Sequence, residues 1–204
     1  MSATSAKERE GMTAQAAHKG GKKPLDVVGM FPQIDEIRDT KLRQAVIDIW
    51  QELWAMSEWT DIATVPTSQE IPYPTLPHNQ SVMRMALDVA TAFETFHGVK
   101  VNRDHLIAEA ALQDASKVVE MRPGKDGKPE VTEIGKAYPH AFWVAHLAVS
   151  RGLPDAVCHV LLTHTPQAAK FPDTIEGKIL YYVDQLDVIA IFKDRWRKDL
   201  YITK

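Results

Sequence analysis

Apolar residues that recur every three or four positions predict a mostly helical chain. The clearest case lies between Lys41 and Trp59, where an apolar stripe is typical of an amphipathic helix. The stripe consists of Leu42, Val46, Ile49, Trp50, Leu53 and Trp54. The same spacing predicts helices over about 78–96, 102–119 and 139–151, between Pro154 and Pro166, and from Asp173 to Ile191. The pattern therefore predicts an all-α fold, a bundle of helices.

Prolines and glycines mark the segments between the predicted helices. Residues 65–77 contain four prolines, which exclude regular helix and predict an extended segment that delivers His78 to the next helix. Residues 121–137 are rich in glycine, proline and aspartate, which predicts a short hairpin or an ordered loop. Asp173 and Glu176 have the spacing of a capping box at the start of the last helix.

Composition divides the chain into three parts. Residues 1–24 contain almost no large apolar side chain, so we expect a flexible N-terminal arm. Residues 25–77 hold the first amphipathic helix and the proline-rich segment, and residues 78–204 form the main helical domain. The tail at 193–204 is basic, which suits the negative end of the last helix dipole.

Charge and composition argue against several classes of protein. The 204 residues carry a net charge of -3 with scattered lysines and arginines, so we expect no nucleic-acid surface. No apolar run is long enough to cross a bilayer, and the N-terminus lacks the apolar core of a signal peptide. Cys158 is the single cysteine, so no intramolecular disulfide is expected and a cytoplasmic location is predicted.

Three tryptophans lie on or just after the first amphipathic helix: Trp50, Trp54 and Trp59. Large aromatic side chains at helical spacing are most simply core residues, or anchors of a subunit contact. Together with the arm at 1–24, this helix predicts a homo-oligomer or another subunit contact.

Asp114 ends an apolar helical run and is therefore expected to point into the interior. A buried carboxylate is costly unless a cation holds it, and a metal ion is the obvious candidate. Three histidines and a second carboxylate lie on or beside other predicted helices: His78, His140, His164 and Asp184. Such ligands suit Mn, Fe, Co, Ni or Zn, and they can meet only if the bundle folds around a common centre.

Each of these residues also has an ordinary structural interpretation. His78 and His140 follow prolines and can simply begin helices, and His164 can interact with a helix C-terminus. Asp184 can pair with a nearby lysine. Taken one at a time, the residues favour the structural interpretation.

Five short stretches occur in the order of the motifs of a known family. They are His78-Asn79-Gln80-Ser81-Val82, residues 110–117 (AALQDASK), Pro139-His140, Leu162-Thr163-His164 and residues 182–187 (YVDQLD). With these stretches, residues 78 to about 190 resemble the HD-domain superfamily of metal-dependent hydrolases, which is an all-α family. The resemblance favours the functional interpretation of the set, and it implies an HD-domain-like helical bundle with a short insertion near 121–137.

The resemblance implies one or two divalent ions. His78, Asp114 and Asp184 would hold the first ion, and Asp114 would bridge to a second ion held by His140 and His164. The chain departs from the family at Gln113, where the family has the histidine of its namesake His-Asp pair, and at Ser81, where the family often has arginine. Metal binding is then weaker, or Gln113 contacts the metal, its water or the substrate, or activity has been lost.

The function implied by the resemblance is hydrolysis of a small anionic molecule, with phosphate esters favoured by family precedent. The ions would polarise the scissile group and lower the pKa of a bound water. Asp114 and Lys117 would be catalytic, and Lys117, Gln113 and Arg122 would contact the substrate. The expected partner is a small-molecule substrate, with no nucleic acid and no membrane.

Two alternatives stay open. One is a degenerate member of the family that serves as a structural or regulatory subunit, and the other is a di-iron oxygenase of the same fold.

Overall fold

The computed structural model describes residues 22–69 and 73–192, so most of the predicted arm and the basic tail at 193–204 lie outside the described residues. In chain order the elements are α1 (Val27–Met30), a 3-10 turn (Pro32–Glu36), α2 (Thr40–Met56), a 3-10 turn (Ile62–Thr64), α3 (Thr75–His97), α4 (Arg103–Leu112), α5 (Lys117–Glu120), β1 (Met121–Pro123), β2 (Pro129–Val131), α6 (Glu133–Ala137), α7 (Phe142–Ser150), α8 (Asp155–Thr163) and α9 (Ile175–Phe192). The prediction of an all-α fold with a short hairpin near 121–137 is confirmed. None of the described helices is both long and apolar enough to cross a membrane.

Helix α4 is the central helix of the bundle. Asn102 begins it by accepting a hydrogen bond from the backbone of His105, and all residues from Leu106 to Leu112 are buried. The helix packs against α2, α3, α8 and α9, which explains why its apolar character extends around its whole circumference. The C-terminal end of α4 therefore lies inside the protein, and the next two residues, Gln113 and Asp114, are buried as well.

The three tryptophans are core residues of the chain itself. Trp50, Trp54 and Trp59 are all buried. The indole of Trp50 donates to the carbonyl of Ala111 at 2.9 Å, and that of Trp59 donates to the carbonyl of Met121 at 2.8 Å. These bonds attach α2 and the following loop to the end of α4 and to the hairpin. The predicted oligomer stays a prediction, and these indole rings are already occupied in the core.

Several helix boundaries differ from the sequence prediction. Helix α3 begins at Thr75 rather than His78, because Pro77 lies in the first turn, where a missing N–H costs no helical bond. The helix predicted over 102–119 ends at Leu112, and the chain turns before α5 begins at Lys117. Helix α7 begins at Phe142, so His140 lies in the turn that precedes it.

The predicted capping box at the last helix is wrong. The hydroxyl of Thr174 accepts the hydrogen bond from the backbone of Gly177 at 3.0 Å. Glu176 instead accepts a hydrogen bond at 2.6 Å from the backbone of Asn102, at the start of α4. Asp173 lies 3.2 Å from the ring of His159. Thr174 is therefore the local cap, and the two residues of the predicted capping box contact remote segments instead.

The hairpin and α6 form one wall beside the end of α4. The hairpin is antiparallel, with Met121 opposite Val131. Thr132 caps α6 by accepting a hydrogen bond at 3.1 Å from the backbone of Gly135. A Cβ atom on Gly135 would lie 2.3 Å from the carbonyl oxygen of Glu120, so only glycine lets α6 approach the end of α5 this closely. The sequence prediction included the hairpin but not α6.

Candidate metal centre

The five predicted metal ligands meet at one end of the bundle. They come from the first turn of α3 (His78), the turn after α4 (Asp114), the turn before α7 (His140), the end of α8 (His164) and the middle of α9 (Asp184). All five line a single cavity of about 500 Å³. Because most of them lie at helix ends, the convergence depends on how the helices pack and not on the helical pattern of any one segment.

Asp114 lies at the middle of the cluster, and its two oxygens face different partners. Its Oδ2 atom is 3.5 Å from Nε2 of His78, which is also 3.0 Å from Oδ1 of Asp184. Its Oδ1 atom is 3.0 Å from Nε2 of His140 and 4.0 Å from Nε2 of His164. One ligand atom from each of Asp114, His140 and His164 lies within 4.8 Å of the others. This division matches a carboxylate that bridges two groups of ligands.

Each of the three imidazoles is oriented through its Nδ1 atom. Nδ1 of His78 lies 2.7 Å from Oδ2 of Asp187, and Nδ1 of His140 lies 2.9 Å from Oε2 of Glu120. Nδ1 of His164 donates to the carbonyl of Leu161 at 3.0 Å. A carbonyl can only accept, so the neutral His164 ring presents the lone pair of Nε2 toward Asp114. Carboxylates and carbonyls behind the ring are the usual partners of metal-binding histidines.

The buried carboxylates favour positive charge on two of the histidines. Burial opposes the charged form of His78, but hydrogen bonds to Asp184 and Asp187 and the charge of Asp114 raise its pKa to about 10. Burial also opposes charge on His140, but the Glu120 carboxylate and the bond to Asp114 raise its pKa to about 9. The cluster is therefore built to hold a cation.

Asp114 and His164 are shifted toward the forms that bind metals. Burial disfavours the Asp114 carboxylate, yet the charges of Lys117 and His140 outweigh burial and hold its pKa well below the usual range. Burial and the nearby charge of His140 lower the pKa of His164. A carboxylate and a neutral imidazole are the forms that donate lone pairs to a metal ion.

The donor set fits a divalent transition metal. Imidazole nitrogens and carboxylate oxygens that face each other at 3.0 to 4.0 Å are all acceptors unless a proton or a metal ion lies between them. Mixed nitrogen and oxygen donors suit Mn, Fe, Co, Ni or Zn. The carboxylates of Asp187 and Glu120 and the carbonyl of Leu161 bond to the outer nitrogens of the three rings, as is usual for metal-binding histidines.

Sequence reasoning did not identify Asp187 and Glu120, which hold the outer nitrogens of His78 and His140. Asp187 lies one helical turn after Asp184 and is buried, so helical spacing was a usable signal. The hydroxyl of Ser81 also donates to Asp187, the carboxylate that orients the His78 ring. Glu120 gave no comparable signal, because its role depends on the turn that carries His140.

The three predicted substrate contacts have different surroundings. Lys117 lines the cavity, donates to the carbonyl of Thr67 at 2.6 Å and lies 3.4 Å from Oδ1 of Asp114. Arg122 pairs with Glu130 and is outside the lining of the cavity that the described residues form. The Gln113 side chain is fully buried, is also outside that lining, and has no hydrogen-bond partner within 22–69 and 73–192. Substrate contacts by Arg122 and Gln113 stay predictions that this geometry does not favour.

Two further features of the cavity were not predicted. The Ser68 hydroxyl is buried at the cavity and lacks a hydrogen-bond partner in the described part of the chain. Tyr138, Met121 and Val131 are also among the residues that line the cavity.

A comparison with curated proteins found similarity to dihydroneopterin 2',3'-cyclic phosphate phosphodiesterase of Methanocaldococcus jannaschii. The two sequences are 32% identical over 111 residues, which is 54% of this chain and 44% of the relative. The chain thus matches less than half the length of that protein. No protein-family model matches the chain, and no solved structure gives a significant match.

Proposed function

We propose that this protein is a metal-dependent phosphohydrolase of the HD-domain type that cleaves a small phosphate ester, most specifically a phosphodiester. The observation that carries the proposal is the convergence of three Nδ1-anchored imidazoles on the buried Asp114 carboxylate. The similarity to a protein named as a cyclic phosphate phosphodiesterase supports the choice of phosphodiester.

The proposed ligands would hold one or two divalent ions. His78, Asp114 and Asp184 form one group, and Asp114, His140 and His164 form the other. A bound divalent ion would polarise a phosphoryl oxygen and lower the pKa of a coordinated water. In the hydrolysis, water gives up one proton as its oxygen bonds to phosphorus, one P–O ester bond breaks, and the departing alkoxide takes up one proton.

Lys117 is positioned to contact the substrate. An ammonium group has three N–H donors, and two of them have partners among the described residues: the carbonyl of Thr67 and the carboxylate of Asp114. The third donor can bind a phosphoryl oxygen in the cavity that Lys117 lines. Charge-assisted bonds of this kind stabilise the charge that develops on phosphoryl oxygens.

The first test compares metal content and hydrolysis in Asp114→Asn and in the unchanged full chain. We expect the unchanged chain to retain Mn, Fe, Co, Ni or Zn and to hydrolyse bis(p-nitrophenyl) phosphate or a 2',3'-cyclic phosphate. Loss of the central carboxylate should remove the metal and lower the rate by about a hundredfold or more. Asp88→Asn is the matched control, because Asp88 is exposed on α3 and pairs with Arg84 at 2.8 Å.

Other outcomes would overturn the proposal. A folded, metal-free protein that cleaves no phosphate ester after incubation with these metals supports a degenerate structural subunit. Iron binding with oxygen consumption and no phosphate-ester cleavage supports an oxygenase. A rate that is equal in Asp114→Asn and Asp88→Asn places the activity elsewhere.

A further inference from the structure

The cavity is larger than the metal ligands require, and one wall of it is apolar. Its volume of about 500 Å³ is in the range of pockets that enclose an organic ligand. The side chains of Met121, Val131 and Tyr138 line the wall made by the hairpin and the end of α6. The lining of the cavity therefore combines charged side chains, among them Asp114 and Lys117, with the apolar side chains of the hairpin.

Tyr138 presents an aromatic ring to this cavity. One side of the ring stacks on Phe142, with ring centres 4.6 Å apart and planes inclined by 6°. Phe142 is in turn nearly parallel to His146, at 6.2 Å and 7°. Tyr138 nevertheless remains 39% exposed and lines the cavity. The Trp143 ring also lies 5.7 Å from Tyr138, inclined by 48°, so the Tyr138 ring is held by two aromatic neighbours and is still partly accessible.

The chain fixes this ring close to the proposed metal ligands. The backbone of Tyr138 donates to the carbonyl of Ile134 at the end of α6, and Tyr138 precedes His140 by two residues. Glu120 accepts from both the His140 ring and the backbone of Ala141, which has a positive φ of 63°. One carboxylate therefore holds the turn that connects the aromatic wall to the ligand set.

We propose that Tyr138 is a specificity-determining residue of this cavity, where its ring stacks on a flat ring of the substrate. The inference rests on the proposed function for the position of the phosphate. The substrate ring would form the next layer on the stack of Phe142 and Tyr138, while the phosphate lies toward Lys117 and the metal ligands. Stacking of a base on an aromatic side chain corresponds to about a tenfold change in affinity or more.

The test measures ligand binding by calorimetry on the full chain, both with Mn²⁺ and after treatment with a chelator. The ring-bearing probes are adenosine, guanosine and neopterin monophosphates, and the ring-free probe is ribose 5-phosphate. We expect at least one ring-bearing probe to bind about tenfold more tightly than ribose 5-phosphate. Tyr138→Leu should remove this difference without changing the affinity for ribose 5-phosphate, and Tyr138→Phe should preserve it.

Control variants separate stacking from a structural role. Phe171→Leu removes an exposed aromatic ring that contacts Tyr181 away from the cavity lining, and it should leave all affinities unchanged. Equal weakening of ring-bearing and ring-free probes by Tyr138→Leu would overturn the inference, as would equal effects of the Leu and Phe variants. So would the absence of any preference for ring-bearing probes in the unchanged chain.

Failure of the proposed function would look different. In that case no phosphodiester is hydrolysed with any metal, whereas the binding comparison still reports on Tyr138. Conversely, hydrolysis that depends on Asp114 but shows no ring preference keeps the proposed function and rejects the stacking role.

Discussion

At the scale of single residues, the outer carboxylates decide how well the site can bind a metal. Asp187 holds Nδ1 of His78 at 2.7 Å and directs Nε2 toward Asp114 and Asp184. Glu120 does the same for His140 at 2.9 Å. A histidine whose outer nitrogen is anchored loses little orientational freedom when its other nitrogen binds a metal.

Asp187→Asn should therefore weaken metal binding without removing a proposed ligand. We expect a 10- to 100-fold lower affinity, because the amide orients the ring less well and makes Nε2 less basic. Calorimetric titration with Mn²⁺ or Zn²⁺ measures the change. Asp48→Asn, at an exposed position on α2 where Asp48 accepts from Gln44 at 2.8 Å, is the control. Equal affinities in the two variants would show that Asp187 does not support the site.

Residue types explain which parts of the candidate site could be predicted from the sequence. The type and order of His78, Asp114 and Asp184 predicted a convergence that the structure contains. Asp187 and Glu120, which bond to the outer nitrogens of His78 and His140, were not identified from the sequence. Such a bond depends on how the histidine ring is oriented and not on residue type alone. The cavity lining likewise excludes Gln113, although the resemblance gave it a place in the site.

At the scale of elements, α4 carries an unusual buried acid. Glu109 is fully buried, and neither carboxylate oxygen has a hydrogen-bond partner in the described part of the chain. Burial raises the pKa of Glu109 well above its usual value, and the nearby Glu176 carboxylate raises it further. The folded protein therefore favours the protonated form of this side chain.

Glu109→Gln should make the protein less sensitive to rising pH. A raised folded-state pKa means that the folded state binds more protons than the unfolded state, so stability falls as pH rises above about 4.5. The variant should gain stability relative to the unchanged chain by about 1.4 kcal/mol per pH unit while folded Glu109 stays protonated. Urea unfolding of the metal-free proteins at pH 5 to 8 measures this difference.

The control for Glu109→Gln is Glu36→Gln, because Glu36 is exposed. A stability difference between Glu109→Gln and the unchanged chain that stays constant with pH would contradict the raised pKa. The sequence placed Glu109 on an apolar helix. Only the packing of this helix against α2, α3, α8 and α9 shows that it is enclosed by other helices.

At the scale of the whole molecule, the histidines and carboxylates of the candidate metal centre link folding stability to pH. Without metal, His78 and His140 have raised pKa values of about 10 and about 9. A raised histidine pKa adds stability that is fully present below the unfolded value of about 6.5 and is lost as pH rises through the folded value. The lowered Asp114 pKa acts in the opposite direction and matters only in acid.

The metal-free protein should therefore lose stability between about pH 6.5 and pH 10. Bound metal should reduce this loss, because it replaces the protons as the positive charge at the cluster, and binding should release protons. Thermal unfolding with a chelator and with Mn²⁺, at several pH values, measures both effects. Performing it in Glu109→Gln removes the contribution of Glu109. A metal-free stability that rises over this pH range would contradict the assignment.

The amino-acid pattern by itself determined the helical class, the hairpin near 121–137 and the residue types of the ligand set, because periodicity and side-chain chemistry are local properties. The tertiary structure decided where α4 stops, that α6 follows the hairpin, and that Glu176 bonds to Asn102 instead of capping its own helix. It also decided that the two oxygens of Asp114 face different partners. These features depend on distances between segments that are remote in the chain, and such distances are fixed only when the helices pack.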